Sequence, residues 1–251
     1  MAISLRSRAQ IELLREAGRL VAQTFELLRP HVQPGMTTRE LDRMAEKFIR
    51  DHGAIPVYKG YNGFPATICA SVNNVICHGF PSKTPLREGD IVGIDIGAKL
   101  NGWIGDSCVT YAVGALAPET QRLMDVTEES MWRGIRAATA GNRLGDVGAA
   151  IQQYVESNKF SVVREYTGHG VGQVLHDEPR NIPHYGKPGT GLRLQPGLVF
   201  TIEPMVNAGR AETKLDQRDG WTVRTADGSL SAQFEHTIVV TENGPEILTA
   251  L

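Results

Sequence analysis

Apolar residues first recur at helical spacing. Ile11, Leu14, Leu20 and Val21 fall on one face of a segment that Ser7 can cap and that runs to Leu28, ahead of Pro30. After a Pro34-Gly35 turn, Thr38 opens a second helical run through Leu41, Met44, Ala45, Phe48 and Ile49, stopped by Gly53. The period then changes. Residues 67–70 and 74–77 read as strands, and residues 91–94 are a wholly apolar, buried strand ending at Asp95. Asn101-Gly102 is a hairpin turn signal, and residues 109–113 form another strand. Pro118 opens a helix over about 119–140, Gly141 ends it, and a further helix covers about 144–158. Residues 231–240 are a strand that begins polar and turns fully buried. Mixed helices and strands predict an α/β fold.

The pattern repeats once. Residues 86–95, LREGDIVGID, align without a gap on residues 194–203, LQPGLVFTIE, so Asp95 matches Glu203. Upstream, an apolar pair before His78 is echoed by one before His176. Helix, Gly-containing turn, helix precedes each copy. The expected organisation is a single catalytic domain, 1–251, with pseudo-symmetric halves of about 1–117 and 118–251.

Composition narrows the partners. The chain has 251 residues, 41% hydrophobic and 22% charged, which suits an ordinary globular protein. A formal net charge of -2 gives no electrostatic reason to expect nucleic acid or an anionic membrane. No apolar stretch is long enough to span a bilayer, and the N-terminal residues lack a signal-peptide core. Cys69, Cys77 and Cys108 lack metal-type spacing and suit free thiols in a reducing cytoplasm.

Candidate chemistry gathers on acids set in apolar sequence. Asp95 and Asp106 flank the hairpin turn, which can bring them side by side. Glu203 repeats Asp95, and Glu235 opens the last strand. His169 stands between glycines that expose its imidazole and permit close approach of a ligand. Taken singly, Glu235 also suits a surface strand end, and His78 a structural role. Together, four carboxylates would be balanced by two divalent ions. Oxygen ligands with one imidazole suit Mn, Fe(II), Co or Zn. Ions about 3.5–4 Å apart can share one water, lower its pKa and present hydroxide to a carbonyl. His78 and His176 could then flank the scissile group. Tyr58, Tyr61 and Phe64, three apart on a loop, suit either a plug for a sheet edge or the lining of an apolar pocket.

The segments around His78, Asp95 to Asp106, His169, Glu203 and Glu235, in that order and spacing, resemble type I methionine aminopeptidases in their short bacterial form. The resemblance covers nearly the whole chain. It implies a pita-bread fold, two α/β halves around a curved antiparallel sheet, and removal of the initiator methionine before a small second residue. It implies that Asp95 binds one of two divalent ions, that Asp106 and Glu235 bridge them, and that His169 and Glu203 bind the other. Glu203 would also handle the water proton, His78 would contact the scissile amide, and His176 the carbonyl oxygen. Tyr58, Tyr61, Phe64, Cys69, Leu175 and Trp221 would line the methionine pocket. Tyr58, Phe64 and Leu175 depart from the Cys, Tyr and Phe of many bacterial members. A monovalent cation, Na or K, would rest on Asn73, Val75 and Ser231. The implied partners are nascent N-terminal peptides and the ribosome, with the enzyme a monomer. The rivals are an Xaa-Pro aminopeptidase and a non-catalytic peptide-binding module on the same fold.

Overall fold

The first helix, α1 (Arg8–Leu28), starts at a capping box. Ser7 Oγ accepts from the Gln10 N–H while the Gln10 side chain accepts from the Ser7 N–H. Thr37 and Glu40 make the same reciprocal pair ahead of α2 (Thr38–Asp51). Helix α3 (Pro118–Ala137) has Pro118 in its first turn, where a missing N–H costs nothing. It ends three residues short of the expected limit: the Ala138 N–H bonds back to the Ile135 carbonyl, closing the helix in a tighter turn. Helix α4 (Leu144–Ser157) follows. These elements come from a computed structural model that describes residues 3–251.

One curled sheet orders the rest. Its main path runs Ile55–Pro56, Ile91–Leu100, Trp103–Ala112, Glu235–Thr241, Val199–Ile202, Gly168–Gly170 and Asp177–Ile182. Ile68–Val72 also pairs with Ile91–Leu100, and Gly244–Ile247 with Glu235–Thr241. Every pairing among these strands is antiparallel. Helices pack on one face only, so this is the pita-bread arrangement.

Alternation divides the faces. Val92, Ile94, Ile96 and Ala98 join one apolar cluster with α1 and α2. Phe200, Ile202, Ile238 and Val240 join another with α3 and α4. Side chains of opposite parity on these strands, Asp95, Thr201, Glu203 and Glu235 among them, therefore face away from the helices. Gly105 lets α1 approach closely, since a Cβ there would fall 2.6 Å from the Ala17 carbonyl.

Two expectations change. The strand carrying Asp95 does not end there. It continues to Leu100, paired residue for residue with Trp103–Ala112 across Asn101-Gly102, so Asp95 is mid-strand. The acid is held by hairpin register rather than by a strand terminus. Residues 231–240 are also not one strand. Ser231–Gln233 pairs with Met205–Asn207 in a small sheet, and Glu235–Thr241 joins the main one, with the break at Phe234. That bend places Gln233 and Glu235 on the same wall.

Candidate metal centre and active site

The five expected ligands converge. Asp95 pairs with Cys108, and Asp106 with Gly97, so the two acids are diagonal neighbours on one face of the hairpin. Glu235 faces Cys108 across the next pairing. Glu203 follows the Val199–Ile202 strand, and His169 lies on the strand beyond. Five segments at the middle of the sheet thus bring one ligand each. Asp106, His169 and Glu235 have ligand atoms within 4.8 Å of one another. The His169 Nε2 is 3.6 Å from Asp106 Oδ2 and 3.7 Å from Glu203 Oε1.

The glycines around His169 serve packing rather than ligand access. A Cβ on Gly168 would fall 2.5 Å from the Thr201 carbonyl oxygen, and one on Gly170 2.5 Å from that of Glu178. Their absence lets this strand nest between its neighbours. The His169 Nδ1 lies 3.0 Å from the Gly170 carbonyl, which can only accept, so Nδ1 carries the proton and Nε2 keeps a lone pair on the side of the acids, where a cation could take it.

Burial decides the electrostatics. Asp106 and Glu235 are 2% and 3% exposed. Burial pushes all four carboxyls up, with mutual repulsion adding to it at Asp95, Glu203 and Glu235; Asp106 reaches about 6. Burial also pushes His169 down. Among the described residues, no lysine or arginine lines the cavity above them. Three buried acids and the half-buried Asp95, without a fixed cation and beside an unprotonated imidazole, form a donor set that a divalent metal ion fits.

The cavity holds about 440 Å³. Tyr58, Tyr61, Phe64, Cys69, Leu175 and Trp221 all line it. Phe64 meets Trp221 edge-on with ring centroids 5.2 Å apart. His78 and His176 line it too. Burial, with the nearby imidazoles adding, lowers His78 to about 4. Desolvation first and His169 second lower His176 to about 4, so both are neutral at pH 7. The His176 Nδ1 is 2.7 Å from the Tyr61 hydroxyl, and its ring stands 4.3 Å from that of His169.

The profile of metallopeptidase family M24 matches residues 12–242. Methionine aminopeptidase 1 of Bacillus subtilis is 55% identical over 240 residues, 96% of each chain. The chain belongs to the type I methionine aminopeptidases of metallopeptidase family M24. Two solved family members share its architecture. That of Rickettsia prowazekii is 49% identical with a TM-score of 0.97, covering 99% of this chain and all of that one. That of Thermotoga maritima is 42% identical with a TM-score of 0.97, each chain covered whole. As a member of this family the chain is a hydrolase.

Three groups around these acids and His169 were not singled out from sequence. Thr201 Oγ1 donates to Glu203 Oε1 at 2.8 Å and accepts the His169 N–H at 3.0 Å. Gln233 Nε2 donates to Glu203 Oε2 at 3.3 Å. The Glu203 N–H donates to the His184 Nε2 at 3.0 Å. Thr201 and Gln233 each stand two residues before an acid on the same face, so strand parity was a usable signal for them. His184 lies in a loop and had none. Away from the ligands, Asn73 and Ser231 meet, the Ser231 N–H donating to the Asn73 carbonyl at 2.9 Å.

Proposed function

We propose that this enzyme removes the initiator methionine from nascent proteins whose second residue is small, using a dinuclear site. The observation that carries the reading is the convergence of four carboxylates, three of them buried, and one imidazole under an aromatic-walled cavity. Asp95, Asp106, His169, Glu203 and Glu235 would hold two divalent ions, Co, Mn, Fe(II) or Zn, with Asp106 and Glu235 shared. Such ions supply Lewis acidity and a water of lowered pKa.

The chain's own residues do the rest. Glu203, tethered by Thr201 and Gln233, takes the proton of the attacking water. His176, oriented through Nδ1 by Tyr61, gives a hydrogen bond to the developing oxyanion. His78 contacts the scissile amide near its leaving nitrogen. Tyr58, Tyr61, Phe64, Cys69, Leu175 and Trp221 surround the methionine side chain and exclude water from it. The preference for a small second residue follows from family likeness.

The setting belongs to the same proposal. Residues 1–251 act as one catalytic domain, in halves of 1–117 and 118–251, working as a monomer in the cytoplasm near the ribosome. Three free cysteines support a reducing compartment, and no helix among the described residues is long and apolar enough to cross a membrane. Asn73, Val75 and Ser231 would hold a Na or K ion. Support comes from Asn207, the strand partner of Ser231, whose buried Oδ1 has no hydrogen-bond partner.

The test is methionine release from Met-Ala-Ser and Met-Leu-Ser by metal-stripped protein resupplied with Mn, Fe(II), Co or Zn. Release that needs metal and is far faster before Ala is the expected result. Folded protein that releases nothing with any of the metals would favour the non-catalytic binding module.

A further inference from the structure

The two ends of the ligand set differ. Asp106 presents Oδ2 to His169, while its Oδ1 hydrogen-bonds the hydroxyl of Tyr58. The same hydroxyl hydrogen-bonds Oδ1 of Asp95. Asp106, His169 and Glu235 make the compact part of the set, and the Tyr58 hydroxyl links Asp106 to Asp95. A phenol has one hydrogen to give and lone pairs to accept with, so Tyr58 occupies the interval between the two acids as a neutral tenant. An ion held by both Asp95 and Asp106 needs oxygens that Tyr58 now engages.

Tyr58 is not free to swing aside. It is 8% exposed, and its ring meets Phe64 edge-on with centroids 6.4 Å apart. The ring also fills the space over Gly97, where a Cβ would fall 2.8 Å from its Cε1. Removing the ring from this slot would open a void in close-packed surroundings.

We propose that Tyr58 weakens the metal position at Asp95, its hydroxyl competing with an ion for Oδ1 of Asp95 and Oδ1 of Asp106, while Asp106 Oδ2 stays turned to His169. This rests on the dinuclear reading above. Loss of the hydroxyl frees the Oδ1 of both acids, which strengthens their pull on a cation. The second ion should therefore bind about ten- to a hundredfold tighter in Tyr58→Phe, the ratio that one hydrogen bond to a charged group supports.

The experiment titrates metal-stripped wild type and Tyr58→Phe anaerobically with Mn(II), counting free ion by electron paramagnetic resonance. Expected are an unchanged first dissociation constant and a second one at least about tenfold smaller in the variant. Two ions with equal second constants in both proteins, or weaker second binding in the variant, would overturn the role of Tyr58 alone. One ion in both proteins would overturn the dinuclear reading and this inference with it. The wild type gives an independent readout. A tyrosine difference signal in the near ultraviolet should arise with the second equivalent of Mn(II) and be missing in Tyr58→Phe. A signal complete at the first equivalent would contradict the assignment.

Discussion

Glu203 is tied at three points, Thr201 and Gln233 on its carboxylate and His184 on its backbone N–H. A group held this way can pass a proton without moving. Glu203→Gln keeps the shape and removes the basic oxygen, so hydrolysis of Met-Ala-Ser should fall by at least about 10²–10⁴, the range of general-base contributions. Circular dichroism should be unchanged, and wild-type turnover in this variant would remove Glu203 from the proton path. His176→Ala should act on the turnover step. A lost oxyanion donor costs roughly 10²–10³ in kcat, and kcat should fall by more than KM rises. A change in KM alone would make His176 a ground-state contact. The convergence of Asp95, Asp106, His169, Glu203 and Glu235 was legible because acids in apolar strands need a reason to be there. The tyrosine hydroxyl was not, because its position depends on Ile55–Pro56 pairing with Ala98 and Lys99 far along the chain.

At the level of elements, a few absent side chains decide whether helices and strands can meet. Helix α1 lies on the Trp103–Ala112 strand through Gly105. Gly105→Ala should push them apart and destabilise the protein by about 1–3 kcal/mol, as overpacking does. For a chain of this size that lowers Tm by roughly 2–12 °C, readable by calorimetry. An unchanged Tm would mean that the helix slides without penalty. The start of α1 was readable from Ser7 and that of α3 from Pro118, and the hairpin from Asn101-Gly102. The length of the hairpin strands was not, since Gly97 and Gly105 interrupt the apolar pattern that marks a strand. The break at Phe234 was hidden for another reason. Each of its two strands is satisfied by a different sheet, and sheet membership is a long-range fact.

For the whole molecule, four like charges at the centre make stability depend on protons and metal together. The carboxyls of the metal-free protein are raised above their ordinary values, Asp106 from 3.8 to about 6. The folded state then holds more protons than the unfolded one. Their contribution is fully present below the unfolded pKa and is lost as pH rises through the folded pKa. His184 and His236, lowered by burial to about 3 and about 4, act oppositely: their contribution is present above the unfolded value of 6.5 and lost as pH falls through the folded one. Metal must displace protons from the acids, so the Tm gain on adding Mn(II) should be larger at pH 8 than at pH 5.5. A gain independent of pH would mean that the acids are already ionised without metal.

The spread of the ligands along the chain has a consequence for the cell. Asp95 and Asp106 stand on one hairpin, while His169, Glu203 and Glu235 come from three later segments, the last on a strand wedged beside that hairpin. No contiguous fragment short of residues 95 to 235 contains the full set. A copy still being made would lack part of the proposed set until Glu235 is in place. On the proposed function, an enzyme acting on newly made proteins would stay inert until it is itself assembled, with the closing of the sheet completing its site.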